Sequence, residues 1–317
     1  MADSPFHPRY IPTWIGLGLL RILALLPIPW QLAIGKTLGQ IMARLLKRRR
    51  HITEVNIRLC FPEFSPEEQE NLVDRSFEAM AMGVMESGMA WWGSDRSLRA
   101  VSRMDGMELI EAAQKEGRGI LLFGAHFSSI ELSGRMCTLH MRASATYQHQ
   151  KNRAFDYVMQ GSRRRYIDQL IHKREMRKMI RSLRDGNIVW YAPDQDFGRE
   201  GSVFAPFFGK PAATLATAGQ LLSLTGARPL FYRHHRELVD GKVLYLGEIS
   251  DPFQDGFGKD ELANATLFNR ALEEAIRIHP EQYLWAHERF RTRANPDDPR
   301  VYTLRKKKPK RTARGEE

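Results

Sequence analysis

The hydrophobic positions of the chain change their period along its length. After residue 105, short apolar runs alternate with segments whose apolar residues recur at helical spacing. The runs predict strands at residues 119–125, 145–148, 188–192, 228–233 and 243–246. The other segments predict helices near residues 105–116, 127–140, 153–167, 174–184, 213–225 and 260–278. This alternation predicts an α/β fold with a largely parallel central sheet flanked by helices, whose ligands gather at the carboxyl ends of the strands.

The amino-terminal pattern is different. Residues 11–20 and 22–34 are strongly apolar but are interrupted by charged, polar and proline residues, and a basic cluster follows at residues 44–50. A spanning helix needs about 20 consecutive apolar residues, and a signal peptide carries its basic residues before the apolar part. The pattern favours a membrane anchor over residues 1–50, spanning or interfacial, with its basic cluster on cytoplasmic headgroups. A buried helix is the alternative.

A helix N-terminus signal follows the basic cluster. Residues 65–68 read Ser-Pro-Glu-Glu, a capping-box sequence that predicts a helix running to about Trp92. Its stripe of Phe77, Met80, Val84 and Trp91 is typical of a core face, with an acyl-chain groove as the alternative. We expect one catalytic domain over residues 51–300 and a basic disordered tail over residues 301–317.

Charge and cysteine content narrow the function classes. The 317 residues include 48 Lys and Arg against 37 Asp and Glu, a net charge of +11 with a pI near 9.8. Such a balance predicts an acidic partner: nucleic acid, anionic lipid or an acidic protein. Two cysteines are too few for a disulfide framework and have no metal-site spacing, which fits a reducing compartment.

The strongest chemical signal is a histidine at a strand end. His126 follows the apolar run 119–125, and Glu131 lies five residues later. A carboxylate that orients an imidazole and stabilises its protonated form makes a general base, as acyl transfer to a hydroxyl requires. A buried structural histidine beside an unrelated glutamate is the alternative. The same spacing recurs at His235 and Asp240, but Asp240 precedes Gly241 between two strand-like runs and is interpreted as a hairpin-turn residue.

Other motifs add two candidates and exclude several functions. Asp194 follows the apolar run 188–192, where either a turn or a site is expected, and Arg163 opens a cluster of three arginines suited to phosphate. The sequence contains no complete P-loop, no nucleophile elbow, and no zinc or dinucleotide fingerprint.

Several short motifs, in their order along the chain, resemble the bacterial lipid A late acyltransferases over nearly all of residues 7–293. The segments that carry the resemblance are His-Pro-Arg-Tyr at 7–10, Cys-Phe-Pro-Glu at 60–63, Met-Glu-Ser-Gly-Met-Ala-Trp at 85–91, the His126/Glu131 pair, Trp-Tyr-Ala-Pro-Asp-Gln-Asp at 190–196, Pro-Glu-Gln-Tyr-Leu-Trp at 280–285 and Arg-Phe-Arg-Thr-Arg at 289–293. One segment departs from the family pattern: residues 148–153 read Gln-His-Gln-Lys-Asn-Arg, keeping only the asparagine of Arg-Pro-x-x-Asn-Pro.

The resemblance implies a fold, a reaction and site residues. It implies a glycerophosphate-acyltransferase-like fold, with His126 and Glu131 as the catalytic pair and Arg163 and Asp194 as substrate-binding residues. The reaction would move an acyl chain, with laurate expected, from acyl carrier protein to a hydroxyacyl chain of a Kdo2-lipid IVA-type acceptor. It implies no cofactor and no metal, and places the enzyme with membrane lipid at the cytoplasmic face of the inner membrane.

Two other functions remain as alternatives. A phospholipid-precursor acyltransferase of the lysophosphatidate type uses the same spacing of histidine and acid. A membrane-attached nucleic-acid-binding protein would explain the positive charge but not the strand-end histidine, and nucleic acid is therefore not expected as a partner.

Overall fold

The computed structural model describes residues 4–254 and 256–303. The α-helices are α1 Ile11–Leu23, α2 Ile28–Leu45, α3 Lys47–Cys60, α4 Pro66–Trp92, α5 Asp95–Arg99, α6 Met107–Lys115, α7 Ile130–His140, α8 Arg153–Arg163, α9 Met176–Arg184, α10 Thr217–Thr225 and α11 Glu261–Ile278. The strands are β1 Ser102–Asp105, β2 Ile120–Phe123, β3 Ala143–Tyr147, β4 Leu170–His172, β5 Ile188–Tyr191, β6 Ser202–Phe207, β7 Lys210–Leu215, β8 Arg228–Val239 and β9 Lys242–Ser250.

A seven-stranded sheet forms the centre of the fold, in the order β1-β9-β8-β2-β5-β3-β4. The strands from β8 to β4 are mutually parallel, β9 is antiparallel to β8, and β1 pairs parallel to β9. The prediction of an α/β fold with a largely parallel sheet is confirmed. Strand β2 is buried along its whole length, which explains its continuous apolar run, because helices cover both faces of such a sheet.

The β8–β9 hairpin turns at Asp240 and Gly241, as the sequence predicts. Both residues have positive φ, 50° and 73°, and Val239 pairs with Lys242 across them. Two consecutive residues with positive φ match the twist of the flanking strands, and Asp-Gly is suited to that conformation. Asp240 is therefore a turn residue.

Each of the five predicted strands is present, with shifted ends, while β1, β4, β6 and β7 were not predicted. Strands β1 and β4 are short, at 4 and 3 residues. Strands β6 and β7 form a separate two-stranded antiparallel sheet. Residues 213–215, predicted as the start of a helix, belong to β7.

Helix α7 begins at Ile130, three residues later than predicted. The intervening backbone is held by the segment after α11: the Ser128 N–H donates to the Gln282 carbonyl at 2.7 Å, and Phe127 forms a β-bridge with Tyr283. His126 therefore lies in the turn between strand and helix, outside the helix.

Helix α4 starts with the predicted capping box. The Glu68 N–H donates to Ser65 Oγ at 3.2 Å, and the Ser65 N–H donates to Glu68 Oε2 at 2.7 Å. Its predicted core stripe is largely correct, because Phe77 and Trp91 are each 1% exposed, but Val84 is 46% exposed. The helix packs against α7 and α2 and so links the sheet to the amino-terminal helices.

The amino-terminal segment forms two helices where an anchor was predicted. Helix α2 packs closely on α4: a Cβ added at Gly39 would lie 2.5 Å from the Glu78 Cα. Within residues 4–254 and 256–303, none of the helices combines the length and apolar character needed to cross a bilayer. A membrane-spanning anchor is therefore unsupported. The predicted tail, apart from residues 301–303, lies outside the described residues.

Candidate functional site

The site is built on two neighbouring parallel strands. Phe123 of β2 is in register with Tyr191 of β5, and the Gly124 N–H donates to the Tyr191 carbonyl at 3.0 Å. Past Phe123 and Tyr191, the two loops leave the sheet at the same end, the carboxyl end of the strands. His126 and Asp194 each follow their strand by three residues, so the strand pairing brings them together across 68 residues of sequence.

His126 makes two hydrogen bonds with the Asp194 carboxylate. Its Nδ1 lies 2.7 Å from Oδ1, and its backbone N–H donates to Oδ2 at 2.9 Å. The Tyr283 hydroxyl also donates to Oδ2, at 3.3 Å. With Nδ1 facing a carboxylate, the proton of a neutral imidazole resides there and Nε2 carries the free lone pair. This is the geometry of a general base.

The carboxylate is fully enclosed, whereas the imidazole reaches solvent. The Asp194 side chain is 1% exposed and the His126 side chain 27% exposed. Burial alone would raise the pKa of the Asp194 carboxyl, but the facing His126 and its hydrogen bonds hold that pKa below the usual value. Asp194 is therefore a carboxylate that orients the ring.

The loop that carries Asp194 is fastened by a second aspartate. Asp196 accepts from the Thr292 N–H at 2.6 Å, from the Thr292 hydroxyl at 2.8 Å and from the Gly198 N–H at 2.9 Å. The Asp196 N–H donates to His287 Nε2 at 3.1 Å. Burial lowers the pKa of His287 to about 4, so this imidazole is neutral and accepts the bond. The loop is thus tied to the carboxyl-terminal segment.

Glu131 does not face His126, contrary to the expected pairing. It lies in the first turn of α7, where its Oε2 accepts from Trp91 Nε1 at 2.8 Å and from Arg163 Nε at 3.3 Å, and its Oε1 from Arg163 Nη2. Among the described residues, no hydrogen bond joins Glu131 to His126. The assignment of Glu131 as the residue that orients His126 is wrong, because Asp194 occupies that place; a catalytic role for Glu131 stays a prediction.

Arg163 ends α8 and is the ion-pair partner of Glu131. The two side chains are 20% and 10% exposed. Burial would lower the pKa of Arg163, but the charge of Glu131 and its hydrogen bonds raise it above the usual value. Its guanidinium fork is therefore already engaged by a carboxylate, and the predicted contact with a substrate phosphate remains a prediction.

The Glu131–Arg163 ion pair lines a largely apolar pocket between α7, the sheet and the segment after α8. The other lining residues are mainly hydrophobic or small: Leu122, Ile130, Ser133, Gly134, Cys137, Thr138, Met141, Ala143, Ser144, Ala145, Thr146, Tyr166, Ile167, Trp190 and Tyr232. Burial raises the pKa of the Cys137 thiol to about 12, so Cys137 is an uncharged wall residue. A pocket with this lining suits a hydrocarbon chain.

Among the residues that the structure describes, no hydrogen bond or ion pair joins His235, the other histidine with this spacing, to His126 or Asp194. The His235 ring packs against His279 with centroids 4.5 Å apart and planes tilted by 31°, and its Nε2 is 3.8 Å from Glu237 Oε2. Nothing in the described ranges brings three or more His, Cys, Asp or Glu side chains into a metal-holding group.

Sequence reasoning missed Tyr283 and Trp91 as site residues. Tyr283 reaches Asp194 across 89 residues, and Trp91 reaches Glu131 across 40 residues. Both lie in motifs that carry the family resemblance, and that was the signal available for them.

Comparison with known proteins places similar sequences beside this chain. The sequence profile described as bacterial lipid A biosynthesis acyltransferase matches residues 2–292. A lipid A biosynthesis palmitoleoyltransferase of Escherichia coli is 37% identical over 289 residues, covering 90% of this chain and 93% of the relative. A lauroyltransferase of the same organism is 36% identical over 296 residues, with 92% and 95% covered. A myristoyltransferase is 32% identical over 299 residues, with 92% and 90% covered.

Proposed function

The chain belongs to the bacterial lipid A biosynthesis acyltransferase family, and on that premise we propose the reaction in full. The enzyme transfers a fatty acyl chain from acyl carrier protein to a hydroxyl of a hydroxyacyl chain on a Kdo-bearing lipid A precursor. The observation that carries this proposal is the His126–Asp194 pair, whose free Nε2 lies at the carboxyl edge of the sheet.

The chemistry follows from the pair. His126 Nε2 takes the proton of the acceptor hydroxyl while the oxygen attacks the thioester carbonyl. Collapse of the tetrahedral intermediate breaks the carbon–sulfur bond, and the thiolate leaves with the proton that His126 returns. Asp194 stabilises the imidazolium between these steps. General-base assistance of this kind contributes about 10²–10⁴-fold in rate.

The pocket beside the Glu131–Arg163 pair supports an acyl-chain site. It is lined mainly by apolar and small side chains, and a hydrocarbon chain gains about 0.8 kcal/mol for each methylene buried. The lauroyl and palmitoleoyl relatives are nearly equally similar, at 36% and 37% identity. These identities do not select one chain; laurate is proposed from the resemblance of the sequence motifs, with the depth of the pocket as the physical determinant.

An apolar stripe on α1 supports attachment to the cytoplasmic face of the inner membrane. Ile11, Ile15, Leu19 and Ile22 are 55%, 67%, 55% and 63% exposed and recur at intervals of three and four, on one face of the helix. The exposed basic residues of the 44–50 segment fit anionic headgroups. The apolar face of α1 lies in the lipid interface, with the helix axis parallel to the bilayer.

Acceptor identity is the test of the function. Purified full-length protein is incubated with lauroyl acyl carrier protein and either the Kdo-bearing lipid A precursor or lysophosphatidate, and products are identified by mass spectrometry. We expect one acyl addition to the lipid A precursor and none to lysophosphatidate. Acylation of lysophosphatidate alone would replace this function with phospholipid-precursor acylation.

A further inference from the structure

Three rings at the carboxyl ends of β3 and β4 have no part in the chemistry above. Tyr147, His149 and His172 lie with ring centroids 5.3 Å (Tyr147–His149), 5.6 Å (Tyr147–His172) and 5.8 Å (His149–His172) apart. Tyr147 and His172 are register partners at the ends of their strands. The three rings, called the edge cluster below, form a contiguous aromatic surface at the strand ends.

A buried carboxylate fixes the His149 ring. Its Nδ1 lies 2.9 Å from Asp156 Oδ2, which also accepts from Gln160 Nε2 at 2.7 Å, while Asp156 Oδ1 accepts from the Gln150 N–H at 2.9 Å. The Asp156 side chain is 6% exposed, but that of His149 is 48% exposed. Here a desolvated carboxylate with three hydrogen-bond partners holds an exposed imidazole in one orientation.

The edge cluster and His126 share one edge of the sheet. Strand β3 pairs with β5, which pairs with β2, so the end of β3 lies two strand spacings, or about 10 Å, from the end of β2. Asp156, Gln160 and Arg163 recur on α8 at intervals of four and three and so lie on one helix face. The same helix therefore positions His149 and the ion pair at the acyl-chain pocket.

Three cationic residues lie within two residues of His149 or His172 in the sequence. Lys151, Lys173 and Arg174 are exposed and adjoin His149 and His172 in sequence. Across residues 4–254 and 256–303, none of the three forms an ion pair with a carboxylate; Lys173 lies 5.3 Å from the Phe197 ring centroid. Exposed ammonium and guanidinium groups beside hydrogen-bonding rings suit a ligand that carries phosphate.

We propose that the edge cluster binds the phosphorylated sugar headgroup of the acyl acceptor. Aromatic faces stack on the carbon-bound hydrogens of a sugar ring, and the Tyr147 hydroxyl and His149 Nε2, which lie 3.5 Å apart, hydrogen-bond its hydroxyls. The flanking cations meet the phosphate. This inference rests on the proposed function, because it assigns the headgroup of that acceptor to residues two to three strand spacings, about 10–14 Å, from the strand that carries His126.

Steady-state kinetics with each substrate varied in turn tests the assignment. His149→Ala and His172→Ala should each raise the KM for the lipid A precursor about tenfold, a loss of about 1.4 kcal/mol in binding. They should leave kcat within about twofold and the KM for lauroyl acyl carrier protein unchanged. His140→Ala removes an exposed imidazole at the end of α7 and serves as the matched control. It should leave both KM values unchanged.

Asp156 is a positioning residue in this account, which gives a second test. Asp156→Asn should raise the acceptor KM as His149→Ala does, and the double variant should be no worse than either single one. A loss of stability in Asp156→Asn without a change in acceptor KM would overturn the positioning role. A rise in the KM for the acyl donor alone, or unchanged KM values in both histidine variants, would overturn the proposal.

A binding experiment separates this inference from the proposed function. The fully deacylated, phosphorylated headgroup of the lipid A precursor is titrated into the wild-type protein and into both histidine variants, and the imidazole signals are followed by NMR. We expect shifts of the His149 and His172 signals and weaker binding in each variant. A wild-type protein without transferase activity would contradict the proposed function, whereas absence of headgroup binding at these rings would contradict the inference.

Discussion

His126 meets Asp194 at two points, through a backbone N–H at 2.9 Å and through Nδ1 at 2.7 Å. A single carboxylate thereby fixes both the turn that carries the histidine and the orientation of its ring. Glu131, five residues along the chain, is instead paired with Arg163. The two acids near the histidine therefore have different partners: Asp194 contacts His126, and Glu131 joins α7 to Arg163 of α8 beside the largely apolar pocket.

A larger side chain at one glycine should make the largely apolar pocket shallower and so change the preferred length of the acyl chain. Gly134 lines the pocket, and a Cβ added there meets no atom within 4 Å. Gly134→Leu should fold and should shift preference from lauroyl toward decanoyl donors by about tenfold or more in relative kcat/KM, since one methylene in such a pocket is worth about 1–3 kcal/mol. Gly161 lies in helix α8, also has no atom within 4 Å of an added Cβ, and lies outside this pocket. Gly161→Leu should keep the wild-type preference, and an unchanged preference in Gly134→Leu would place the chain elsewhere.

The exposed stripe of α1 should govern membrane attachment. Replacing both Ile15 and Leu19 by Glu should lower binding to vesicles of phosphatidylethanolamine and phosphatidylglycerol about tenfold or more, because each buried Ile or Leu contributes about 1.5–3 kcal/mol. Leu238 is a matched control, since it is 70% exposed at the far end of β8. Cosedimentation of Leu238→Glu should equal that of the wild type. Undiminished binding of the double variant would move the lipid contact to another surface.

Stability should fall in mild acid because of a buried histidine. Burial lowers the pKa of His234 to about 3, and its Nδ1 lies 3.1 Å from Ser129 Oγ. A histidine with a lowered folded-state pKa contributes stability that is complete above the unfolded-state value, near 6.5, and is lost as the pH falls toward the folded-state value. Between these two pKa values, His234 lowers the free energy of unfolding by about 1.4 kcal/mol for each unit by which the pH falls.

Urea unfolding between pH 7 and pH 5 measures that slope. His234→Gln retains a hydrogen-bonding side chain without the titration and should show a shallower dependence than the wild type. His7→Gln, at an exposed position, should show the wild-type dependence. Equal slopes in the wild type and His234→Gln would mean that the buried imidazole already binds a proton in the folded protein.

Local patterns predicted the strand-end histidine but not its partner. The run of residues 119–125 placed His126 after a strand. The Asp-Gly pair at 240–241 predicted the hairpin turn, which excludes Asp240 as the acid of a catalytic pair with His235. Asp194 reaches His126 only because β5 pairs with β2. The order of strands in a parallel sheet leaves no local pattern in the sequence, so this contact could not be predicted. The five-residue spacing to Glu131 was misleading because α7 begins at Ile130, and Glu131 pairs with Arg163 from α8.

The central claim is that His126 and Asp194 act as one unit and that Glu131 acts separately. The most direct measurement is kcat/KM for Asp194→Asn and Glu131→Gln, each alone and combined with His126→Gln, with residual rates followed by mass spectrometry. His235→Gln makes the same chemical change at the other histidine with this spacing and should keep most activity.

We predict that His126→Gln lowers kcat/KM by about 10²–10⁴-fold and that Asp194→Asn adds no further loss to it. Glu131→Gln should lower activity by the same factor with or without His126. Additive losses for Asp194 together with a vanishing effect of Glu131 in the His126→Gln background would contradict the account.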